Sequence, residues 1–245
     1  MTTQLGRPAS EEDLYLARGA DVEPFRPVLQ GDIFSSVVIP GVDVEHGYAM
    51  LASHPCSMRQ GANLRPRLQM IPVVPYQDVP FQQWPLSQYR VFPLPHLDPA
   101  RPSHHFAAMY EEVGMVKAVA LTPDRRAACL SERGILLFQQ RQIYNASRAD
   151  ISLATLEEAS AAVLAEAELL EDWNRALLNR RVEAGEEVIS ALAAEAAEFE
   201  AILSSPPEGE DASLRDMLKI QHRRPNVRRV VRREIMRRLE GNGGR

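Results

Sequence analysis

The sequence predicts an α+β protein, in which a small antiparallel β-barrel is followed by a helical hairpin and short C-terminal helices. The first observation is the distribution of proline, because fifteen of the 18 prolines precede Arg125. The second is that short apolar runs, cut by proline and glycine, fill the same N-terminal part. The third is a proline-free stretch of about 80 residues after Pro123, which long helices require because proline removes a helical hydrogen bond.

These shifts in composition predict four regions. They are an N-terminal extension (1–27), a β-barrel (28–125), an acidic helical region (126–205) and a basic C-terminal helical tail (213–245). Within the barrel region we expect five strands, at 32–41, 47–53, 68–76, 88–95 and 112–122. A meander of such short strands cannot cover a wide sheet, and closing it into a barrel removes its unpaired edges.

Helices are predicted from their caps and from apolar residues at helical spacing. Ser131 is the expected N-cap of the first long helix, and Thr155 with Glu158 forms a capping box for the second. Two apolar stripes follow, joined by a kink or hairpin near Gly185. The stripes comprise Leu156, Val163, Leu170 and Leu177, then Val188, Leu192, Ala196, Phe199 and Leu203. Two helices striped in this way are expected to pack as an antiparallel pair.

The tail is expected to hold two short helices. The first begins at the N-cap Ser213, and the second starts after Pro225 with Asn226 as its cap and stops at Gly241. The apolar side of the second helix comprises Val227, Val230, Val231, Ile235 and Leu239.

Charge is separated along the chain. Residues 150–212 carry 16 acidic and three basic side chains, whereas residues 213–245 carry 11 basic and three acidic ones. The arginine doublets of the tail are candidates for nucleic-acid binding through phosphate neutralisation. Those candidates are Arg224, Arg228, Arg229, Arg232, Arg233 and Arg237. The apolar stripe between them favours docking on a protein surface instead, the acidic helices of the same chain included.

Three segments of the barrel region resemble PemK/MazF-type proteins. They are Gly31-Asp32-Ile33, the apolar run from Ala49 to Ser53, and the valine-rich segment from Pro72 to Pro75. Members of this family are small SH3-like β-barrels, and many are toxin endoribonucleases that cleave single-stranded RNA. The resemblance covers about residues 28–122 and implies an SH3-like barrel and a function connected with RNA.

The sequence departs from the family where the family binds the scissile phosphate. The loop after the first strand carries Asp43 and Glu45 and no lysine or arginine, although charge that develops on a phosphate needs a cation. The turn after the second strand offers substitutes: His54 as a base, Arg59 as a phosphate ligand and Ser53 as a hydrogen-bond donor. A structural turn is the alternative interpretation of the same residues.

We therefore expect a non-catalytic or weakly catalytic binding or scaffold component, of a toxin–antitoxin or phage-defence type system. An endoribonuclease and a nucleic-acid-binding protein acting through the basic tail are the alternatives. The expected partner is a protein or a second copy, bound through the helical region, with RNA or DNA as the alternative. A weaker candidate site is the pair His104 and His105.

Other classes are disfavoured by missing patterns. Cys56 and Cys129 are too few for a disulfide framework and lack metal-ligand spacing, so neither a metal nor another cofactor is expected. No secretory signal or membrane span is apparent, which predicts a cytoplasmic protein without membrane contact.

Overall fold

The computed structural model describes residues 5–42, 47–60, 63–86, 90–184 and 196–241, and it shows an α+β fold, as predicted. The chain forms two compact units. The first comprises Met1–Pro24, Val28–Met58 and Arg65–Ala159, and the second comprises Phe25–Pro27, Arg59–Leu64 and Ser160–Arg245. These boundaries differ from the four predicted regions, because the N-terminal segment and residues 126–159 belong to the same unit as the sheet.

The first unit contains a curled antiparallel sheet that forms a half-barrel. Its strands are β1 (Tyr15–Arg18), β2 (Ile33–Ser35), β3 (Tyr48–Leu51), β6 (Arg67–Tyr76), β7 (Val91–Leu94), β8 (His105–Met109), β9 (Gly114–Lys117) and β10 (Arg126–Leu130). The strand order is β1-β10-β2-β3-β6-β8-β7, and β9 pairs with the other half of the long strand β6. Two further strands, β4 (Arg59–Gln60) and β5 (Asn63–Leu64), form a short hairpin in the second unit.

Each of the five predicted strand regions contains a strand, but three strands of the main sheet, and both strands of the short hairpin, were not predicted. β1 pairs with β10, which ties the supposed N-terminal extension into the sheet. β8 lies in what the sequence suggested was a proline-rich loop and pairs with both β6 and β7. The third is β10, which occupies Arg126–Leu130, where the helical region was predicted to begin.

The Gly-Asp pair before β2 has a structural explanation. Gly31 adopts φ +86°, and a Cβ atom there would lie 2.6 Å from Cδ1 of Leu130, so both backbone conformation and packing require glycine. The buried Asp32 accepts a hydrogen bond from the Leu29 N–H at 3.0 Å, which closes the turn into β2. The motif that suggested the family resemblance therefore builds the entry to the sheet.

Helices α1 (Glu11–Leu14), α2 (Pro55–Met58) and α3 (Glu132–Ser147) belong to the first unit. The predicted cap of α3 is confirmed, because Ser131 Oγ accepts the N–H of Gly134 at 2.9 Å. α3 buries Phe138 against Phe92, whose ring lies 5.4 Å away, and Phe92 contacts Trp84 at 5.6 Å. These rings are part of the core between α3 and the sheet.

The second unit is helical. It contains α4 (Leu153–Ala184) from residue 160 onward, α5 (Ala196–Ser204), α6 (Leu214–Leu218) and α7 (Arg224–Gly241), preceded by a 3₁₀ turn (Gln221–Arg223). All four helices contribute to one buried cluster, which includes Leu169, Leu170, Trp173, Leu177, Phe199, Ile202, Leu203, Leu214, Met217, Val227, Val231 and Ile235. The apolar stripes predicted for α5 and α7 face this common core, as do Leu170 and Leu177 of the α4 stripe, whereas Leu156 and Val163 of that stripe are not part of it. The predicted hairpin at Gly185, with Val188 and Leu192, lies outside the described residues, as does the side chain of Leu239.

Of the three other predicted caps, two are wrong and one is confirmed. Ser152, not Thr155, caps α4, because its Oγ accepts the N–H of Thr155 at 3.1 Å. Asn226 lies inside α7, which begins at Arg224 directly after the 3₁₀ turn. Ser213 caps α6 as predicted, since its Oγ accepts the N–H of Asp216 at 3.1 Å.

Candidate functional site

Ser53 follows β3 and is buried, and its hydroxyl has a structural partner. The Oγ atom accepts the backbone N–H of Gln69 on β6 at 2.8 Å. The hydrogen bond extends the β3–β6 pairing by one step beyond Leu51, which is the last residue of β3. Ser53 therefore continues the sheet at this point.

His54 is the first residue of the turn into α2. Its Nδ1 accepts the N–H of Cys56 at 3.3 Å, and its carbonyl oxygen accepts the N–H groups of Ser57 and Met58 at 2.8 and 3.1 Å. Because Nδ1 is the acceptor, the neutral ring carries its proton on Nε2 and has no second lone pair with which to abstract a proton. Burial lowers the pKa of His54 below its ordinary value, which favours this neutral form.

Arg59 begins β4, where it pairs with Leu64 in the short hairpin. Ser53 and His54 belong to the first unit and Arg59 to the second, so neither unit contains all three predicted catalytic residues. The acidic loop residues Asp43 and Glu45 lie outside the described residues.

Three of the six tail arginines form ion pairs with carboxylates of their own unit. Glu168 of α4 accepts from Arg228 and from Arg232, each at 2.6 Å, and Asp172 accepts from Arg232 at 2.7 Å. Arg237 is bonded to Glu234 within α7 at 2.7 Å. The acidic helix and the basic tail therefore neutralise each other in part.

The other three arginines differ. Arg224 donates to the carbonyl oxygen of Leu218 at 2.8 Å, and Arg229 donates to Oδ1 of Asn226 at 2.6 Å. Arg233 is exposed, and its guanidinium makes no ion pair or hydrogen bond with any residue that the structure describes.

A bridging residue that the sequence did not reveal is Arg215 of α6. Its guanidinium lies 2.9 Å from Glu166 of α4 and also pairs with Glu200 of α5. The hydrogen bonds that Arg215 donates, to Glu200 above all and to Glu166, raise its pKa against the effect of burial. The ion pairs of Arg215 thus join three helices of the second unit.

The first unit also contains a polar cluster that the sequence did not predict, except for one member, His105. Glu11 accepts from Nδ1 of His96 and from Arg18 at 2.7 Å, and Arg18 donates to the carbonyl oxygen of His96 at 2.6 Å. Burial alone would raise the pKa of Glu11, but the hydrogen bonds from His96 and Arg18 outweigh it and lower that pKa. The ring of His105 lies 5.3 Å from that of His96. The cluster fastens α1 and β1 to the loop after β7.

The pair of adjacent histidines proposed from the sequence is not a pair in the structure. His104 is exposed, whereas His105 begins β8 with Nδ1 3.6 Å from Oδ1 of Asp78. Over the described residues, no group of three or more His, Cys, Asp or Glu side chains is arranged to hold a metal ion. Cys56 is exposed and Cys129 is buried, and neither forms a disulfide bond.

Comparison with family models, with curated proteins and with solved structures finds no match to this chain. Among the helices that the structure describes, none combines the length and the apolar character that crossing a bilayer requires.

Proposed function

We propose that this protein is a non-catalytic binding or scaffold component, of a toxin–antitoxin or phage-defence type system. Its first unit serves as an SH3-like barrel platform related to PemK/MazF proteins, and its helical unit recruits a protein partner. The curled antiparallel sheet and the three segments at 31–33, 49–53 and 72–75 support the barrel assignment. The proposal that the function is non-catalytic depends mainly on one observation, which is the hydrogen bond from Cys56 N–H to Nδ1 of His54.

This hydrogen bond argues against catalysis at the turn. RNA cleavage by attack of a 2′-hydroxyl needs a base that takes its proton and a cation that stabilises the phosphate. The Nδ1 lone pair of His54 is engaged, and the hydroxyl of Ser53 accepts a backbone N–H. With these polar atoms engaged, the turn offers a fixed surface, which suits binding better than catalysis.

An RNA degradation assay tests the proposal. We expect wild type and His54→Ala to leave a mixed-sequence single-stranded RNA equally intact, because the imidazole has a capping role and no role in proton transfer. His104→Ala is the matched control, since it removes an exposed histidine from the same unit. Cleavage by the wild type that is lost in His54→Ala and kept in His104→Ala would establish the endoribonuclease alternative and reject the proposal.

The nucleic-acid alternative has its own test, because the ion pairs of α4 mask part of the tail. The double variant Glu168→Gln/Asp172→Asn removes the carboxylates that pair with Arg228 and Arg232. We expect it to bind single-stranded RNA more tightly at low salt. The slope of log K against log salt should steepen by roughly 0.7 for each arginine released.

Glu157→Gln/Glu158→Gln is the matched control, since it removes two exposed carboxylates from the same helix without touching these ion pairs. Fluorescence anisotropy over a salt series measures both variants. If the wild type already binds RNA with the steeper slope, the tail is not masked and the nucleic-acid function gains support.

A further inference from the structure

A groove of about 290 Å³ lies between α5, the segment that follows it, and α7. Its walls are mainly apolar, formed by Ile202, Pro206, Pro207, Leu214 and Val230. Ile202 and Leu214 are buried members of the core of the second unit, and Val230 packs against that core. The groove is therefore a place where this core approaches the surface, and it has room for one or two apolar side chains of a ligand.

The rim of the groove is cationic. Arg233, Arg237 and Arg238 line it together with one carboxylate, that of Glu234. Glu234 already accepts from Arg237 and from Arg238, and these hydrogen bonds lower its pKa to about 2 despite partial burial. Arg238 also donates to Glu198 at 3.2 Å. The carboxylate of the rim is thus engaged.

Arg233 is left as the available charge. It is exposed at the groove and makes no ion pair or hydrogen bond among the described residues, whereas eight other arginines described in the helical unit pair with carboxylates of that unit. The apolar groove beside the guanidinium of Arg233 is complementary to a ligand that carries an apolar side chain next to a carboxylate.

We propose that this groove binds an acidic peptide segment of a partner protein, with one or two aliphatic side chains in the groove and an Asp or Glu carboxylate on Arg233. The inference rests on the proposed binding function and names the chemistry of its partner. Glutamate or aspartate within a few residues of leucine, isoleucine or valine defines the class of segment.

Nucleic acid suits the groove less well. Single-stranded nucleic acids are held by aromatic side chains on which bases stack, in addition to cations. The residues that line the groove are aliphatic or charged, with no aromatic ring among those that the structure places there. Aliphatic walls offer a good surface to leucine or valine and a poor one to a base.

Selection from a display library of random dodecapeptides against the full chain tests the proposal. We expect enrichment of sequences that place Asp or Glu beside aliphatic residues. The affinity of an enriched peptide should fall about tenfold or more in Arg233→Glu, because like charges then face each other beside an apolar surface. Arg229→Glu is the matched control, since it reverses the charge of another exposed arginine of α7 that does not line the groove, and it should keep the affinity.

Several results would overturn the assignment. They are enrichment of neutral or basic peptides, no enrichment over the Arg233→Glu background, equal binding by that variant, or displacement of the peptide by a single-stranded RNA dodecamer. Sedimentation of the wild type gives one more: a dimer that Arg233→Glu abolishes would make a second copy the occupant. Circular dichroism of both variants verifies folding.

Failure at the groove is distinguishable from failure of the proposed function. Loss of the groove assignment leaves RNA intact in the degradation assay and leaves partner binding to another surface. RNA cleavage that depends on His54 rejects the proposed function whatever the peptide selection shows.

Discussion

Replacing Trp173 by alanine is expected to lower the free energy of unfolding by about 3–5 kcal/mol, the range for removing a large aromatic ring from a core. Trp173 is 1% exposed and lies within the cluster to which α4, α5, α6 and α7 all contribute. Its ring centroid is 6.2 Å from that of Phe199 on α5. Alanine would leave a cavity where these helices meet.

Urea unfolding followed by circular dichroism measures this effect. Trp173→Phe is the matched control, because phenylalanine keeps most of the ring and the indole N–H has no hydrogen-bond partner among the described residues. We expect the phenylalanine variant to lose far less stability than the alanine variant. An alanine variant within about 1 kcal/mol of wild type would show that this cluster does not hold the helical unit together.

Helical periodicity predicted the core of the second unit because that signal is local. Leu170, Leu177, Phe199 and Leu203 were assigned to apolar stripes by their spacing, and all four are buried in one cluster. The spacing of apolar residues on a helix fixes which residues share a face, whatever the helix packs against. The sequence did not show that α6 and α7 complete the same core, since that depends on tertiary packing.

Strand prediction failed where the segment itself carries little strand signal and its conformation depends on the strands beside it. Tyr15 lies opposite Leu130 in the β1–β10 pair, so the segment that looked like an N-terminal extension acquires its strand conformation from residues far along the chain. β8 begins at His105 directly after a proline-rich loop and carries no turn signal of its own. Propensity in strands is largely a consequence of such cross-strand packing, which a single sequence does not display.

Caps were predicted by residue type, and the competition between neighbouring caps was decided by tertiary contacts. Ser152 and Thr155 are both good capping residues, and Ser152 prevails. Gln140 of α3 donates to the carbonyl oxygen of Ile151 at 2.8 Å, which fixes the chain one residue before Ser152. A contact between α3 and the segment before α4 therefore favours this start of α4.

The candidate sites show the same limit. Ser53 and His54 are adjacent in the sequence, but the sequence could not show that the backbone N–H groups of Gln69 and Cys56 occupy their polar atoms. Glu11 and His96 were not connected because 85 residues separate them. The arginines of the tail were recognised from their spacing, whereas the distinction between the paired Arg232 and the available Arg233 required the position of α4.

Gly134→Ala is expected to destabilise the first unit by about 1–3 kcal/mol, the usual effect of overpacking, although alanine favours an isolated helix by about 1 kcal/mol. A Cβ atom at this position would lie 2.2 Å from the carbonyl oxygen of Leu14 and 3.1 Å from Cβ of Leu130. The contact with Leu14 is to backbone, so no side-chain rotation relieves it. Ser131 donates its N–H to that same carbonyl oxygen at 3.0 Å, and displacement of Leu14 would break this hydrogen bond as well.

Fluorescence of Trp84, the single tryptophan of the first unit, reports this unfolding in a Trp173→Phe background, because the chain has two tryptophans. Gly41→Ala is the matched control: its φ is +81° and a Cβ there would meet nothing within 4 Å, so it isolates backbone strain of about 1–2 kcal/mol. Gly134 has no such strain, and any loss there must come from the close approach of α3 to Leu14. If Gly134→Ala raised the unfolding midpoint, helix propensity would outweigh the clash and α3 would not be packed this tightly against Leu14.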